Sequence, residues 1–333
     1  MSVSSTVQCY PSYSESSGFK LLSSGCVPLN SYLQMGTHGT IVVSESFNPE
    51  ADAKKLRAAM KGIGTNEGAI IEVLAHRTNA QRQLIKEAFK RSFGKNLVDE
   101  LKSELSGNFE KVVLGLLMPS PVYDAYELKN AIKGAGTEEA CLIEILASRS
   151  GEEIEAIKAT YTKEYGRSLE EDICGDTSGM FQRVLVSLLT AGRDRGSFVN
   201  EAQALQDAKD IFEAGEAQWG TDEATFLTVL CVRNRNHLLR EKRALIKGFI
   251  VSVSCIRKKP AFFAEQLYKS MKGAGTADST LIRIMVSRAE VDMMYIKPEF
   301  AMLCGKSLHS YIKDDTSGDY RTILLELCGG GGK

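Results

Sequence analysis

The feature that most constrains this chain is a short glycine-containing segment that occurs three times. It reads MKGIGTNE at residues 60–67, IKGAGTEE at 132–139 and MKGAGTAD at 271–278. A related segment, AGEAQWGTDE, covers residues 214–223. Such repetition predicts similar structural units that pack on their neighbours, because a unit of about 70 residues buries little core alone.

Further residues keep the same register with the threonine of each segment. An arginine follows each threonine by twelve positions, and an acid followed by a Ser-Gly pair comes thirty-nine positions after three of them. This register predicts four repeats, at 48–119, 120–192, 203–258 and 259–330, after an N-terminal tail at 1–47. The register residues are Thr65, Thr137, Thr221 and Thr276; Arg77, Arg149, Arg233 and Arg288; and Glu104, Asp176 and Asp315.

Each repeat has the apolar spacing of about five amphipathic helices and no strand-like alternation, so we predict an all-α fold. In the first repeat Asn79 is expected to cap the third helix. Gly94 is expected to end that helix in a left-handed conformation. The register arginine falls at a helix C-terminus, where a cation suits the helix dipole. Pro298 lies inside a predicted helix and is expected to kink it.

Composition excludes several classes of protein. The chain of 333 residues has a net charge of −1, so no large field attracts it to nucleic acid. Its eight cysteines contain no CxxC pair, which argues against a zinc site or a disulfide framework. Its four histidines share no position in the repeat, and no nucleophile–base arrangement is evident, so we do not expect an enzyme. The tail, rich in Ser, Gly and Tyr, is expected to be disordered.

The repeated loop itself is suited to a hard cation. Two glycines one residue apart permit positive φ, so their carbonyl oxygens can turn outward together. If the turn that holds the register acid lies beside the loop, its carboxylate completes a set of oxygen ligands. Such a set is typical of Ca²⁺, which takes six to eight oxygens with loose geometry. A single copy could be only a turn between helices, but three copies with matched acids favour a binding site.

The KGxGT loop, the acid at plus thirty-nine and the repeat length resemble the annexin family over roughly residues 48–329. LKSELSGNFE at 101–110 and DDTSGDY at 314–320 are among the matching segments. The resemblance implies a slightly curved disc of four helical repeats that binds acidic phospholipid through Ca²⁺ on its convex face. It also implies the ligands of three sites: Met60, Gly62, Gly64 and Glu104; Ile132, Gly134, Gly136 and Asp176; and Met271, Gly273, Gly275 and Asp315.

The third repeat departs from the pattern. Its loop offers the carbonyls of Gly215, Gln218 and Gly220, but the register position of the acid is occupied by Pro260. At least 17 residues of the repeat are missing, since Thr221 to Gly273 spans 52 residues where Thr65 to Gly134 spans 69. We therefore expect a truncated repeat whose site is weak or empty. Trp219 in this loop either inserts at the bilayer interface or packs within the loop.

These features predict a non-enzymatic protein that attaches to acidic membranes through Ca²⁺ bridges. The resemblance implies a cytoplasmic protein, peripheral on the cytosolic face of membranes when Ca²⁺ rises. Its roles would lie in membrane aggregation, vesicle traffic or exocytosis, with possible lateral self-association on the membrane and no nucleic-acid partner. A helical-repeat scaffold that binds proteins without calcium dependence remains the alternative.

Overall fold

The computed structural model describes residues 38–62, 64–134, 136–190, 200–215, 229, 233, 259–273 and 275–330. In this part of the chain all regular secondary structure is helical, which confirms the predicted all-α fold. The sixteen helices are α1 (Pro49–Ala59), α2 (Glu67–Leu74), α3 (Asn79–Phe93), α4 (Leu97–Glu104), α5 (Gly107–Leu117), α6 (Ser120–Ile132), α7 (Glu139–Ser148), α8 (Gly151–Tyr165), α9 (Leu169–Asp176), α10 (Gly179–Leu189), α11 (Glu201–Gly215), α12 (Lys259–Met271), α13 (Asp278–Arg288), α14 (Met293–Cys304), α15 (Leu308–Asp315) and α16 (Gly318–Leu327).

Local sequence signals set several of these boundaries. Gly94 ends α3 in the predicted left-handed conformation, with φ of 67°. The N-cap predicted at Asn79 is wrong by one residue, because Thr78 caps α3 and forms a capping box with Gln81. Pro298 lies inside α14, which continues through it as one helix. Pro260 lies in the first turn of α12, where a missing N–H costs no helical hydrogen bond.

The first and fourth repeats share one hydrophobic core. Helix α5 packs against α13 and α16, and α2 also packs against α16. Their common core includes the fully buried rings of Phe89, Phe263 and Phe300. Helices α6 to α10 of the second repeat instead surround a core of their own, which includes Tyr161 and also Val229 from the third repeat. The described residues therefore form two cores, which we call the joint core and the second-repeat core.

A buried ion pair links these two cores. Arg283 on α13 donates from Nε to Oε1 of Glu144 on α7 at 3.0 Å, and from Nη2 to Oε2 at 2.9 Å. The two side chains are only 1% and 2% exposed. Burial alone would lower the pKa of Arg283, but the Glu144 carboxylate outweighs it, and the pKa is raised. Two further carboxylates, of Glu127 and Glu138, lie within 3.8 Å and 3.6 Å of Arg283 Nη1.

The register arginines are structural, and each has a carboxylate partner. Arg77 donates from Nε to Asp52 on α1 at 2.7 Å, and Arg149 makes the same contact with Asp124 on α6 at 2.7 Å. Arg233 pairs likewise with Asp207. The helix-dipole interpretation was therefore incomplete, because Arg77 and Arg149 also connect the C-terminal end of the second helix of their repeats to the first helix. The signal was present in the sequence as an aspartate 25 or 26 residues before the arginine.

In the fourth repeat the register arginine, Arg288, has different partners. Phe263 occupies the register position of Asp52 and Asp124, and the Arg288 guanidinium lies 4.5 Å from the centre of its ring. The carboxylate partner is now Asp292, four residues after the arginine, at 2.6 Å from Arg288 Nη2. The repeat thus keeps the arginine and replaces its partner.

Candidate metal centres

All three repeated loops have the same unusual backbone. The first glycine of each pair has φ of 118°, 117° or 124°, and the second has φ of 85°, 103° or 109°. These values lie in a region that residues with a side chain rarely adopt, so the glycines are required by the backbone. All six are exposed. In chain order they are Gly62 and Gly64, Gly134 and Gly136, and Gly273 and Gly275.

A main-chain hydrogen bond closes each loop at the same place. The donor is the backbone N–H of the residue that follows the register threonine. The acceptor is the carbonyl of the residue that precedes Met60, Ile132 or Met271. The distances are 2.9 Å for Asn66 to Ala59, 2.8 Å for Glu138 to Ala131 and 2.7 Å for Ala277 to Ser270. The closed ring holds both glycines between its ends. Side-chain patterns do not reveal this bond, because it joins only backbone atoms.

The register acid lies beside the loop in all three repeats. The threonine hydroxyl donates to the carboxylate of Glu104 at 3.0 Å, of Asp176 at 2.5 Å and of Asp315 at 2.5 Å. Each acid is the last residue of the fourth helix of its repeat, so the end of that helix meets the loop between the first two helices. The structure thus brings together the two turns that the sequence only suggested were neighbours.

The sequence analysis used the threonines as landmarks and assigned them no role. Their hydroxyls, on Thr65, Thr137 and Thr276, are the groups that hold the carboxylates in place. Their constant spacing of 39 residues from the acids was the available signal. In the second and fourth repeats the hydroxyl also lies within 3.2 Å and 3.4 Å of the main-chain oxygen of the aspartate.

The predicted ligands that are not glycine or acid can contribute only their backbone. Met60, Ile132 and Met271 stand at the end of the first helix of their repeats, and their side chains are buried at 5%, 9% and 4% exposure. Their apolar side chains anchor the loop to the core, which leaves the main-chain carbonyl as the available oxygen. A helix end provides such carbonyls, because the last four have no partner within the helix.

The donor set in these loops fits Ca²⁺. Among the residues that the structure describes, no three His, Cys, Asp or Glu side chains come together as they do in a zinc site. Each loop instead offers the main-chain oxygens of two exposed glycines beside one carboxylate. All-oxygen sets with few charges and room for water suit calcium, whereas magnesium demands near-ideal octahedral geometry.

The third loop lies largely outside the described residues. Gly215 is the last residue of α11, and Gln218, Trp219 and Gly220 lie outside the described part of the chain. Pro260, which takes the place of the acid, belongs to the first turn of α12. The predictions for the third site and for Trp219 therefore remain predictions.

Comparisons with known proteins agree with this arrangement. The annexin family model matches residues 51–116, 123–188 and 262–327, which together make up more than half of the chain. These three segments carry the three loops, and residues 203–258 lie outside them. The chain belongs to the annexin family.

Annexins of two kinds are among its relatives. It is 56% identical to annexin A4 of Mus musculus over 312 residues, which cover 88% of this chain and 98% of the relative. It is 51% identical to annexin A5 of Macaca fascicularis over the same length, again covering 88% of this chain and 98% of the relative. The relatives are thus matched over nearly their whole length.

Solved structures show the same fold. Chicken annexin V matches 88% of this annexin and 99% of its own chain, with 51% identity and a TM-score of 0.82. A calcium-bound annexin (Sm)1 matches 89% of this annexin and 94% of its own chain, with 33% identity and a TM-score of 0.77. In the described residues of this annexin, no helix is both long and apolar enough to cross a bilayer.

Proposed function

We propose that this annexin attaches to acidic phospholipid membranes through Ca²⁺ ions held in the loops of its first, second and fourth repeats. Family membership supports calcium-dependent phospholipid binding in general. The single observation that carries the proposal for this chain is the threefold geometry, in which a pair of positive-φ glycines faces a threonine-held carboxylate.

We assign as ligands the main-chain oxygens of the loops together with the register acids. In the first site these are Met60, Gly62 and Gly64 with Glu104, and the other two sites follow the same register. An ion bound mainly by surface carbonyls keeps coordination positions open for a phosphate oxygen of a lipid. The ion also provides the positive charge that a chain of net charge −1 lacks.

Several weak sites on one molecule act together. Once one loop is attached, the other loops meet the same membrane at a high effective concentration, so their affinities multiply. We therefore expect binding that rises steeply with Ca²⁺ and reverses with a chelator. The protein would accumulate on the cytosolic face of membranes when Ca²⁺ rises, act in membrane aggregation or vesicle traffic, and need no enzymatic activity.

The test is co-sedimentation with phosphatidylserine liposomes across a Ca²⁺ series, with an EGTA control. The triple variant Glu104→Ala, Asp176→Ala and Asp315→Ala should need at least about 100-fold more Ca²⁺, since it loses one ligand per site in a multivalent contact. The matched control is Glu87→Ala, Glu164→Ala and Asp314→Ala, which removes three exposed carboxylates outside the sites. Equal binding by both triple variants would refute the ligand assignment.

The same assay decides between this function and a calcium-independent protein scaffold. A scaffold would show no Ca²⁺-dependent sedimentation, and its thermal stability would not change on adding Ca²⁺. Ligands that bind only the folded state raise stability by mass action, so a rise in melting temperature with Ca²⁺, absent in the triple variant, supports the sites without any membrane.

A further inference from the structure

A cavity of about 430 Å³ lies between α5, α6 and α13, where the first, second and fourth repeats meet. Its volume is that of a site for a small organic molecule. Residues spaced three and four positions apart on α5 and on α6 lie on one face of each helix and form its two long walls. These wall residues include Lys111, Leu114 and Met118 on α5, and Tyr123, Tyr126 and Glu127 on α6.

One end of this cavity lies beside the candidate calcium loops. Glu138, whose N–H closes the second loop, lines that end, and so does Ser279 in the first turn after the fourth loop. Lys102 and Glu110 line it as well, and they flank the turn that holds the acid of the first site. From there the cavity extends along α5 and α6 toward the turn that joins them. A membrane in contact with the loops would therefore cover this end.

The carboxylates at the cavity have too few cations. Arg283 donates two hydrogen bonds to Glu144, from Nε and Nη2. Its Nη1 lies 3.8 Å from the carboxylate of Glu127 and 3.6 Å from that of Glu138, and it makes no hydrogen bond within the described residues. One guanidinium thus serves three carboxylates. Burial raises the pKa of Glu127 to about 7, as expected for a carboxylate whose charge is poorly compensated.

A buried hydroxyl on the same face of α6 also lacks a partner. Tyr123 is 4% exposed, and its hydroxyl makes no hydrogen bond to any part of the chain that the structure describes. Burial, and then the nearby carboxylate of Glu127, raise the pKa of Tyr123. Tyr126 on this face is 41% exposed, so its ring is accessible to a ligand. Hydroxyl, carboxylate and ring therefore line one wall together.

This wall suits an organic ammonium group better than a metal ion. Among the described residues, no three His, Cys, Asp or Glu side chains converge as a metal site requires. An ammonium N–H can instead donate to the Glu127 carboxylate and to the Tyr123 hydroxyl oxygen, while the Tyr126 ring attracts the positive charge. The remaining volume leaves room for the rest of a small molecule.

Two lysines line the cavity outside this wall. Lys102 and Lys111 are exposed, and the ammonium of Lys111 donates to the Asn108 side chain at 3.2 Å. We propose that the cavity binds a primary ammonium group linked to a phosphate, as in the head group of an aminophospholipid, with the ammonium at Glu127 and the phosphate at the lysines. The lipid source alone rests on the proposed function, because the loops would bring the membrane to this end of the cavity.

The first test uses soluble head groups without calcium. Glycerophosphoethanolamine is titrated calorimetrically into the protein in EGTA at pH 8, and glycerophosphoglycerol is the matched phosphodiester without the ammonium. Glu127→Gln removes the charge of the proposed acceptor at nearly constant size, and Glu87→Gln removes an exposed carboxylate outside the cavity. We expect the wild type and Glu87→Gln to prefer glycerophosphoethanolamine by at least about tenfold, and Glu127→Gln to lose this preference, because charge-assisted hydrogen bonds are strong.

Absence of binding, or equal affinity for the two ligands, overturns the inference, and so does an unchanged preference in Glu127→Gln. Tyr123→Phe is a second variant that does not depend on the folding of Glu127→Gln. It removes only the unpartnered hydroxyl and should weaken binding of glycerophosphoethanolamine about threefold. Wild-type affinity in Tyr123→Phe would contradict the assigned position of the ammonium. Thermal unfolding shows that each variant is folded.

Vesicles decide whether a lipid supplies the group. Phosphatidylglycerol vesicles are diluted, at equal charge, with phosphatidylethanolamine or with phosphatidylcholine, whose ammonium has no N–H to donate. We expect phosphatidylethanolamine to lower the Ca²⁺ needed for half-maximal binding about threefold in the wild type and in Glu87→Gln, but not in Glu127→Gln. Equal binding to both mixtures overturns the lipid source. Absence of binding to either mixture would refute the proposed function, whereas the calcium-free titration still decides the ammonium site.

Discussion

The second repeat and the joint core of the first and fourth repeats carry the same loop on different supports. Gly134 and Gly136 have nearly the same φ values as the glycines of the other two loops, although the helices beneath them surround a separate core. The loop geometry is therefore local. It depends on two glycines, one closing hydrogen bond and one threonine–acid contact, and not on which neighbours the repeat packs against.

The contacts between the two cores differ in kind from those within them. Within each core apolar side chains predominate, whereas Arg283 and Glu144 meet at the junction as a buried ion pair. Removing one partner of such a pair leaves an uncompensated buried charge, which is strongly destabilising. Arg283 and Glu144 are therefore the residues at which the attachment of the second repeat to the joint core can be tested.

The largest expected effect comes from breaking that junction. Arg283→Leu should reduce the free energy of unfolding by about 3–5 kcal/mol, because Glu144 then remains buried without a partner. Urea unfolding measures the loss. Adding Glu144→Leu should recover part of it, since neither charge then remains. Lys158→Ala, which breaks an exposed pair with Glu155, is the control and should change stability by less than about 1 kcal/mol. A similar small loss for Arg283→Leu would contradict the role of the junction.

The junction should also respond to pH through Glu127. Burial, the largest cause, raises the pKa of Glu127 from 4.5 to about 7, although nearby Arg283 lowers it. The carboxylates of Glu138 and Glu144 also raise the Glu127 pKa, whereas the nearby Tyr123 hydroxyl lowers it. Because the folded state binds this proton more tightly than the unfolded state, its contribution is present below pH 4.5 and is lost as the pH rises through about 7.

Glu127→Gln keeps the side chain neutral at every pH. Its free energy of unfolding, relative to the wild type, should therefore increase by about 1–3 kcal/mol between pH 5 and pH 8. Urea unfolding of both proteins at the two pH values measures this difference, and titration of all other groups cancels in it. A difference that stays constant with pH would show that Glu127 is ionised in the fold throughout this range.

Matched glycine substitutions test whether the loops are independent of the core beneath them. Gly62→Ala and Gly134→Ala should each cost about 1–2 kcal/mol in stability and weaken calcium binding at their own site, because each φ is positive. A Cβ at either position meets no atom within 4 Å, so strain and not collision is the cause. Gly175→Ala is the control, since it has equally open space and lies within α9. Clearly unequal costs at the two loops would refute the local interpretation.

The smallest effect is expected from the threonine–carboxylate contact. Thr137→Val removes the hydroxyl that donates to Asp176 and keeps the shape, so calcium affinity at the second site should fall about fivefold. Calorimetric titration of Ca²⁺ measures it. Thr162→Val is the same change at a hydroxyl that donates to the Lys158 carbonyl within its own helix, and it should leave affinity unchanged. Equal affinity for the two variants would leave Thr137 without a positioning role.

Much of the fold could be predicted from the sequence because its signals are local and repeated. Apolar spacing and end signals such as Gly94 are legible within a few residues. The error at Asn79 arose where two adjacent residues, Thr78 and Asn79, can both cap a helix. The division into two cores could not be predicted, because it depends on contacts such as that of α5 with α16, far apart in the chain.

The candidate sites also contain features that the sequence could predict and features that it could not. Residue type and spacing were enough to predict that the glycines and the acids belong to one loop site, and the structure places each acid beside its loop. The hydrogen bond from the Glu138 N–H to the Ala131 carbonyl, which closes the second loop, joins only backbone atoms and therefore requires no particular residue type. The role of the threonines was missed because a hydroxyl in a loop has many uses, and only its distance to the acid distinguishes them.

The exchange of partners at Arg288 has a consequence for the order in which the fourth repeat folds. In the first and second repeats the arginine meets an aspartate 25 residues earlier, so a long loop must close before the ion pair exists. Arg288 meets Asp292 only four residues away, a distance that the chain closes quickly and at small entropic cost. We therefore expect the turn between α13 and α14 to form without α12, whereas the corresponding ion pairs of the first two repeats need their first helix in place.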